Sequence, residues 1–235
     1  MVSPAALDAQ RGRGAGPAAS ARDAAALDVT GYWVSVITED WKFRMVTPKK
    51  GVYEALTLNA EGRRIGDTWD PARDEAAGEA CRAYGAANIM RVPGRLHITW
   101  ADANTLRIDT DAGMQTRLFH FADVPPAAAP SWQGHSVAQW RYAPGARGSA
   151  RTGSLKVVTT MLRPGYVRKN GAPYSGEATV TEYYDLHTLP NGDRWMTVTT
   201  RVVDPQYFTG PYMTTSDFKK LAGAAGWKPT PCTAF

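Results

Sequence analysis

Between Arg95 and Phe121, three runs of alternating apolar and polar residues are separated by two short turn signals. Leu96-His97-Ile98-Thr99-Trp100 is followed by Asp102-Ala103-Asn104, then Thr105-Leu106-Arg107-Ile108-Asp109, then Ala112-Gly113-Met114, then Gln115-Thr116-Arg117-Leu118-Phe119-His120-Phe121. A period of two marks strands, because successive side chains leave a strand on opposite faces. With three-residue loops and left-handed positions at Asn104 and Gly113, Trp100 faces Leu106, Ile98 faces Ile108 and Ile108 faces Leu118. That register puts His120 on the apolar face opposite Leu106 and leaves His97, Asp109 and Arg117 in one row on the other face. A slip of one residue would exchange the faces of a strand, so the row depends on the loop lengths.

The rest of the chain repeats the pattern. Strand signals recur at Gly31–Ile37, Trp41–Val46, Ser131–Trp140 and Gly153–Thr160, and again before a last strand at Met213–Lys219. Arg163–Ser175 reads as a tight hairpin or a lid. Ala178–Thr188 and Arg194–Val203 flank Pro190-Asn191-Gly192-Asp193, where Asn-Gly suits a type I′ turn. That turn sets Glu182 opposite Arg201, Tyr184 opposite Thr199 and Tyr183 opposite Thr200. Asn59 caps a short helix through Ile65, and Asp70-Pro71 opens a second through about Tyr84 that Gly85 stops. In the second helix Ala76, Ala77, Ala80, Cys81 and Tyr84 share one side.

Roughly nine or ten strands with one helical insertion at about 59–85 predict an all-β, mainly antiparallel fold. The expected architecture is a lipocalin- or calycin-like β-barrel over residues 29–235, with an open β-sandwich as the alternative. A chain of 235 residues, 43% hydrophobic, fills one sizeable core. Residues 1–28, rich in Ala, Gly, Pro and Arg, are expected to form a disordered arm. Pro144–Gly153 reads as a flexible loop.

A net charge of +5 is spread singly among acids, which argues against a nucleic-acid surface. No apolar run approaches the ~20 residues of a spanning helix. No charged-then-apolar leader follows Met1, yet the arm resembles the spacer that follows a removed export signal. Periplasmic or secreted placement is therefore expected, with the cytoplasm as the alternative. Cys81 and Cys232 form one disulfide or stay as two buried thiols.

Five segments carry a family resemblance: Trp132–Ser136, Ser154–Thr160, Gly171–Ser175, Val180–Tyr183 and Asp204–Pro211. Together they resemble a large group of uncharacterised, mostly exported bacterial proteins with a lipocalin-like (calycin-type) barrel. The resemblance implies the fold and an extracytoplasmic compartment, and implies no activity, cofactor or catalytic residue.

Glycine-rich phosphate loops, HExxH, CxxC and Gly-x-Ser-x-Gly are all absent from the sequence. No metal or cofactor is called for. The candidate catalytic residues are His97, Asp109 and Arg117, where a carboxylate between an imidazole and a guanidinium would orient a proton-transfer group, and His120, whose apolar surroundings would keep it neutral. The alternative for the row is a surface ladder of opposite charges, and for His120 a hydrogen-bonded core histidine. Glu182, Tyr184 and Arg201 form a third group. With Trp33, Trp100, Trp132, Trp140 and Tyr183 they are the candidate ligand-binding residues, since aromatics in such number can line a cavity. The expected function is binding of a small hydrophobic or aromatic molecule inside the barrel. The alternatives are a cofactor-free isomerase, lyase or hydrolase in the same cavity, and an extracytoplasmic structural or interaction module. The sequence leaves the oligomeric state open.

Overall fold

The structure, a computed structural model, describes residues 19–145 and 152–234. Residues 1–18 of the expected arm and 146–151 of the expected flexible loop lie outside the described residues. Nine strands close into a barrel: β1 (Gly31–Val36), β2 (Arg95–Trp100), β3 (Thr105–Thr110), β4 (Thr116–His120), β5 (His135–Tyr142), β6 (Gly153–Thr160), β9 (Thr179–Thr188), β10 (Arg194–Val203) and β11 (Tyr212–Lys220). Two short strands, β7 (Gly165–Arg168) and β8 (Ala172–Tyr174), pair apart from it as a hairpin whose strand residues are all buried.

The ring follows sequence order, and β1 completes it by pairing with both β2 and β11. Neighbours alternate in direction except at one seam, where β4 and β5 run parallel. An odd-membered ring cannot alternate all the way round, so one same-direction pair is forced. A parallel pair needs a crossover. Here the chain makes it outside the wall, through the exposed residues 122–130.

Two turns differ from expectation, and each moves a register by one residue. After β3 the amide of Thr110 donates to the carbonyl of Gln115 at 2.9 Å, so the loop has four residues, 111–114, with Gly113 and Met114 both at positive φ. Leu106 consequently faces Phe119, Ile108 faces Arg117, and His120 faces Thr105. At the long hairpin the amide of Gly192 donates to the carbonyl of Leu189 at 2.9 Å and Gly192 alone is left-handed, at φ 84°. Pro190 presets the first turn position, giving a type I turn closed by a left-handed glycine instead of type I′. Glu182 then opposes Thr200, Tyr184 opposes Val198, Tyr183 opposes Thr199, and Arg201 opposes Thr181. The β2–β3 register is as expected, with His97 opposite Asp109 and Trp100 opposite Leu106. Asn104 reaches it without positive φ, because the Asp102 carboxylate accepts its amide at 2.7 Å.

Residues 41–46, expected as a strand, begin instead with a one-turn helix, α1 (Trp41–Arg44). Trp41 is exposed while Arg44 is buried, the reverse of the apolar-in, polar-out order expected of a barrel strand. Asn59 caps α2 (Ala60–Gly66), its side chain accepting from the amide of Gly62 at 2.8 Å. Asp70 likewise caps α3 (Pro71–Ala76). This helix stops eight residues short of Tyr84. Gly78, at φ 71°, closes it with bonds from Gly78 N to Glu75 O and from Glu79 N to Asp74 O, the pairing of a Schellman motif. The chain resumes as 3₁₀ turns at Ala80–Tyr84 and Ile89–Arg91. With the β7–β8 hairpin these pieces cover one barrel end through a second core that includes Tyr53, Leu58, Val167, Tyr174 and Phe208. Cys81 and Cys232 are bonded, with Cα atoms 5.1 Å apart, and tie this cover to the chain's last turns.

Candidate functional site

The barrel centre is filled with side chains. Trp33, Ile98, Ile108, Phe119, Leu155, Val157, Tyr184, Met196 and Val198 are fully or almost fully buried there. Among them lies an ion pair with no solvent contact. Arg117 on β4 donates from Nη1 and Nη2 to the two carboxylate oxygens of Glu182 on β9, at 2.8 and 2.6 Å. Arg117 Nη2 lies 3.4 Å from Thr159 Oγ1, which bonds Ser136 Oγ at 2.7 Å, and the Tyr184 hydroxyl donates to Glu182 at 3.3 Å. Burial alone would pull the guanidinium toward neutrality, but the Glu182 charge and hydrogen bonds outweigh it and raise its pKa. Burial and the same carboxylate push the Tyr184 hydroxyl well up.

Space for a ligand opens at the barrel end opposite the cover. A cavity of about 480 Å³ lies between the ends of β2 and β3, at Thr99, Trp100 and Leu106, and a strap formed by residues 20–30, which contributes Arg22, Leu27, Asp28 and Val29. The expected arm thus docks in its last third. The amide of Ala21 donates to Asn104 at 2.8 Å and that of Arg22 to the carbonyl of Ala103 at 3.0 Å. Trp140 Nε1 donates to the carbonyl of Ala21 at 2.8 Å, and the Tyr142 hydroxyl to that of Ala24 at 2.7 Å. Ala26 and Val29 are buried, and Trp33, directly beneath, donates to the carbonyl of Val29 at 2.8 Å.

One wall of this mouth is aromatic. Phe121 lies 5.7 Å from Trp100 and 5.0 Å from Trp140, centre to centre. The opposite rim is charged. Burial pushes Asp28 up, but hydrogen bonds from Thr30 and the charges of Lys220 and Arg194 hold it below its ordinary value. Burial lowers Lys220, which lies over the Trp33 ring and donates to the carbonyl of Thr30. Of these rings Trp100 alone lines the cavity, so the site offers one aromatic side chain with Leu27, Val29 and Leu106 on one hand and Arg22, Asp28, Thr30 and Thr99 on the other.

No protein-family model, curated protein or solved structure matches this chain significantly.

The residues singled out from the sequence divide into separate places. Trp33, Trp100 and Trp140 belong to the mouth or its floor. Glu182 and Tyr184 belong to the buried pair. Arg201 faces away from it, because the register is one residue off the expected one. Tyr183 also points outward, beside Arg141, and Trp132 stacks under Arg163 at the covered end.

His97 and Asp109 do share the outer face, but Arg117 points inward, and Thr116 takes its place by donating to Asp109 at 2.6 Å. Asp109 also receives a fork from Arg107, with bonds of 2.8 to 3.0 Å. His97 stacks on Tyr32, its partner on β1, with centres 4.0 Å apart, and Trp227 meets both rings edge-on. These groups line a shallow outer pocket of about 300 Å³.

His120 lies on the outer face beside His135, with ring centres 5.5 Å apart, in a groove formed with the crossover. Burial and the His135 charge lower its pKa. The expected depression is there, with burial its largest cause as expected, but the burial is in the outer groove and not in the apolar core, and the His135 charge adds to it. His120 and Arg117 thus stand on opposite sides of the wall and cannot serve one reacting centre.

Sequence reasoning missed the strap. The signal was Ala26-Leu27-Asp28-Val29, an apolar cluster ending in a residue that can cap its own turn through Thr30.

Proposed function

We propose that this barrel binds a small amphiphilic molecule, with an apolar side and a polar or charged side, at the mouth beneath the residue 20–30 strap. The observation that carries the reading is the 480 Å³ space between Leu27, Val29, Trp100 and Leu106, with Arg22 and Asp28 at its rim. That volume falls in the range of small-molecule sites, and a lining in which Arg22, Asp28, Thr30 and Thr99 stand beside apolar side chains suits an amphiphile. The filled centre limits the ligand to the mouth. The strap's tethers favour a route in which residues 20–24 lift, the molecule enters, and the backbone bonds to Ala103 and Asn104 re-form. The Cys81–Cys232 bond favours an oxidising compartment, and with it the exported, lipocalin-like reading.

Titration with the neutral fluorophore N-phenyl-1-naphthylamine tests the site. Leu106→Trp, which fills the mouth, is expected to weaken binding at least about tenfold, a loss of about 1.4 kcal/mol. Trp227→Ala, on the outer pocket, is expected to leave binding unchanged. Equal affinity in the wild type and Leu106→Trp would overturn the assignment.

A further inference from the structure

The covered end of the barrel holds a second unusual group. Arg44 from α1, Arg91 from the second 3₁₀ turn and Arg168 from the end of β7 converge there, and each is more than nine-tenths buried. Their partners use only part of their hydrogen-bonding capacity. Arg44 donates from Nε to the carbonyl of Arg91 at 3.0 Å and from Nη1 to Glu39 at 2.6 Å. Arg91 donates from Nη2 to Asp40 at 3.2 Å, and Arg168 from Nη2 to the carbonyl of Glu54 at 3.0 Å. Arg44 Nη2, Arg91 Nη1, and Arg168 Nε and Nη1 are buried and have no acceptor in hydrogen-bonding geometry among the described residues. The buried Arg117 also leaves its Nε without an acceptor, but it differs in having both Nη groups filled by a carboxylate of its own.

Charge is also out of balance. Three guanidinium groups stand against the carboxylates of Glu39 and Asp40, while Lys169, which also lines the small pocket, places its ammonium over the Tyr84 ring. Asp40 is shared: it bonds Arg91, and its charge also reaches Arg44 and Arg168. It is held there by a left-handed backbone, φ 48°. Arginine cannot shed its proton to relieve burial, and a buried charge is ordinarily paired. Arg168 also lies over the Phe43 ring, 4.2 Å from its centre, and interacts with the Tyr212 hydroxyl, which burial pushes up and so keeps neutral; neither neighbour supplies a negative charge.

We propose that Arg44, Arg91 and Arg168 bind an anion. The pocket between them measures about 20 Å³, room for one water-sized atom. It therefore accepts a halide ion, or a single terminal oxygen of a carboxylate or phosphoryl group whose remainder passes out between Phe43, Thr47 and Lys169, the half-buried residues at its rim. Guanidinium forks suit either, because their N–H groups are fixed in direction and permanently charged. The site is at the far end of the barrel from the mouth and does not depend on what binds there.

Thermal unfolding of the full chain, moved from halide- and oxyanion-free buffer into sodium chloride, acetate or phosphate at equal ionic strength, tests the proposal. At about a hundredfold over its dissociation constant the bound anion should raise Tm by roughly 5–10 °C. In Arg168→Met the rise should shrink to whatever ionic strength alone produces. A rise with chloride only assigns a free ion, and a rise with acetate or phosphate only assigns a ligand-borne oxyanion. A rise with all three assigns a site open to both. The same response in wild type and Arg168→Met in every salt overturns the proposal. Should Arg168→Met fail to fold, anomalous diffraction from wild-type crystals soaked in bromide and in selenate decides. A peak among the three guanidinium groups supports the site, and no peak from either soak removes it.

Discussion

Two arginine–carboxylate forks lie on opposite sides of one sheet. Inside, Arg117 and Glu182 are both 0% exposed and sit 65 residues apart in sequence. Outside, Arg107 and Asp109 are two residues apart on β3 and face water. The bond lengths are nearly alike, so geometry does not distinguish them. Surroundings do. Water already solvates the outer pair, which gains little by meeting and loses side-chain freedom. The inner pair has given up its hydration, so each ion depends on the other. The inner pair also reaches from β4 to β9 across β5 and β6, spanning the parallel seam. Backbone pairing is thinnest there, limited to Phe119 with Ser136 and His120 with Val137. Removing both partners together is therefore expected to cost little net stability and to loosen the pairing at the seam.

The sharpest way to break this contrast is Glu182→Gln, which strands the Arg117 charge in the core. It is expected to cost about 3–5 kcal/mol in urea unfolding, and a loss below about 1 kcal/mol would show that the core hydrates the arginine. The double change Arg117→Met with Glu182→Leu should return most of that loss, to within about 1 kcal/mol of wild type. It should at the same time speed amide exchange at Phe119, His120, Ser136 and Val137. Exchange left unchanged would remove the role at the seam. Asp109→Asn, on the outside, is expected to leave the urea midpoint nearly unmoved, with any residual shift disappearing in high salt. A loss comparable with that of Glu182→Gln would erase the distinction.

The smallest effect belongs to His120. Its folded pKa lies below the ordinary 6.5, first from burial and then from the His135 charge, so folding favours the neutral ring. The contribution is fully present above pH 6.5 and is lost as pH falls through the lowered value. His120→Gln should flatten the decline of Tm between pH 7 and pH 5, and an unaltered slope would place the proton elsewhere.

Much of the architecture could be read from residue order. Alternation located all nine barrel strands, and β10 begins and ends where its pattern does. The helix caps at Asn59 and Asp70 were legible because capping is local chemistry. The site was less legible, for reasons that can be named. Met114 adopts positive φ although it is neither glycine nor asparagine, which lengthened a loop and turned Arg117 inward and His120 outward. Pro190 selected a turn whose register brought Glu182 to meet Arg117 instead of Arg201. Arg44, Arg91 and Arg168 come from three distant elements, with no spacing that could announce them. The strap looked like low-complexity sequence because its tethers are mostly backbone groups and small residues.

An odd ring has a practical corollary. The polypeptide makes its one end-to-end crossover between β4 and β5, the single parallel pair of the ring, and residues 122–130 of that crossover are exposed. A nick within this span shifts no strand against its neighbour. The portion ending at Phe121 keeps the meander β1 to β4, and the portion from Ser131 keeps β5 to β11. The Arg117 fork and the cystine would hold the two portions together, so this is where the molecule should tolerate division into complementing fragments.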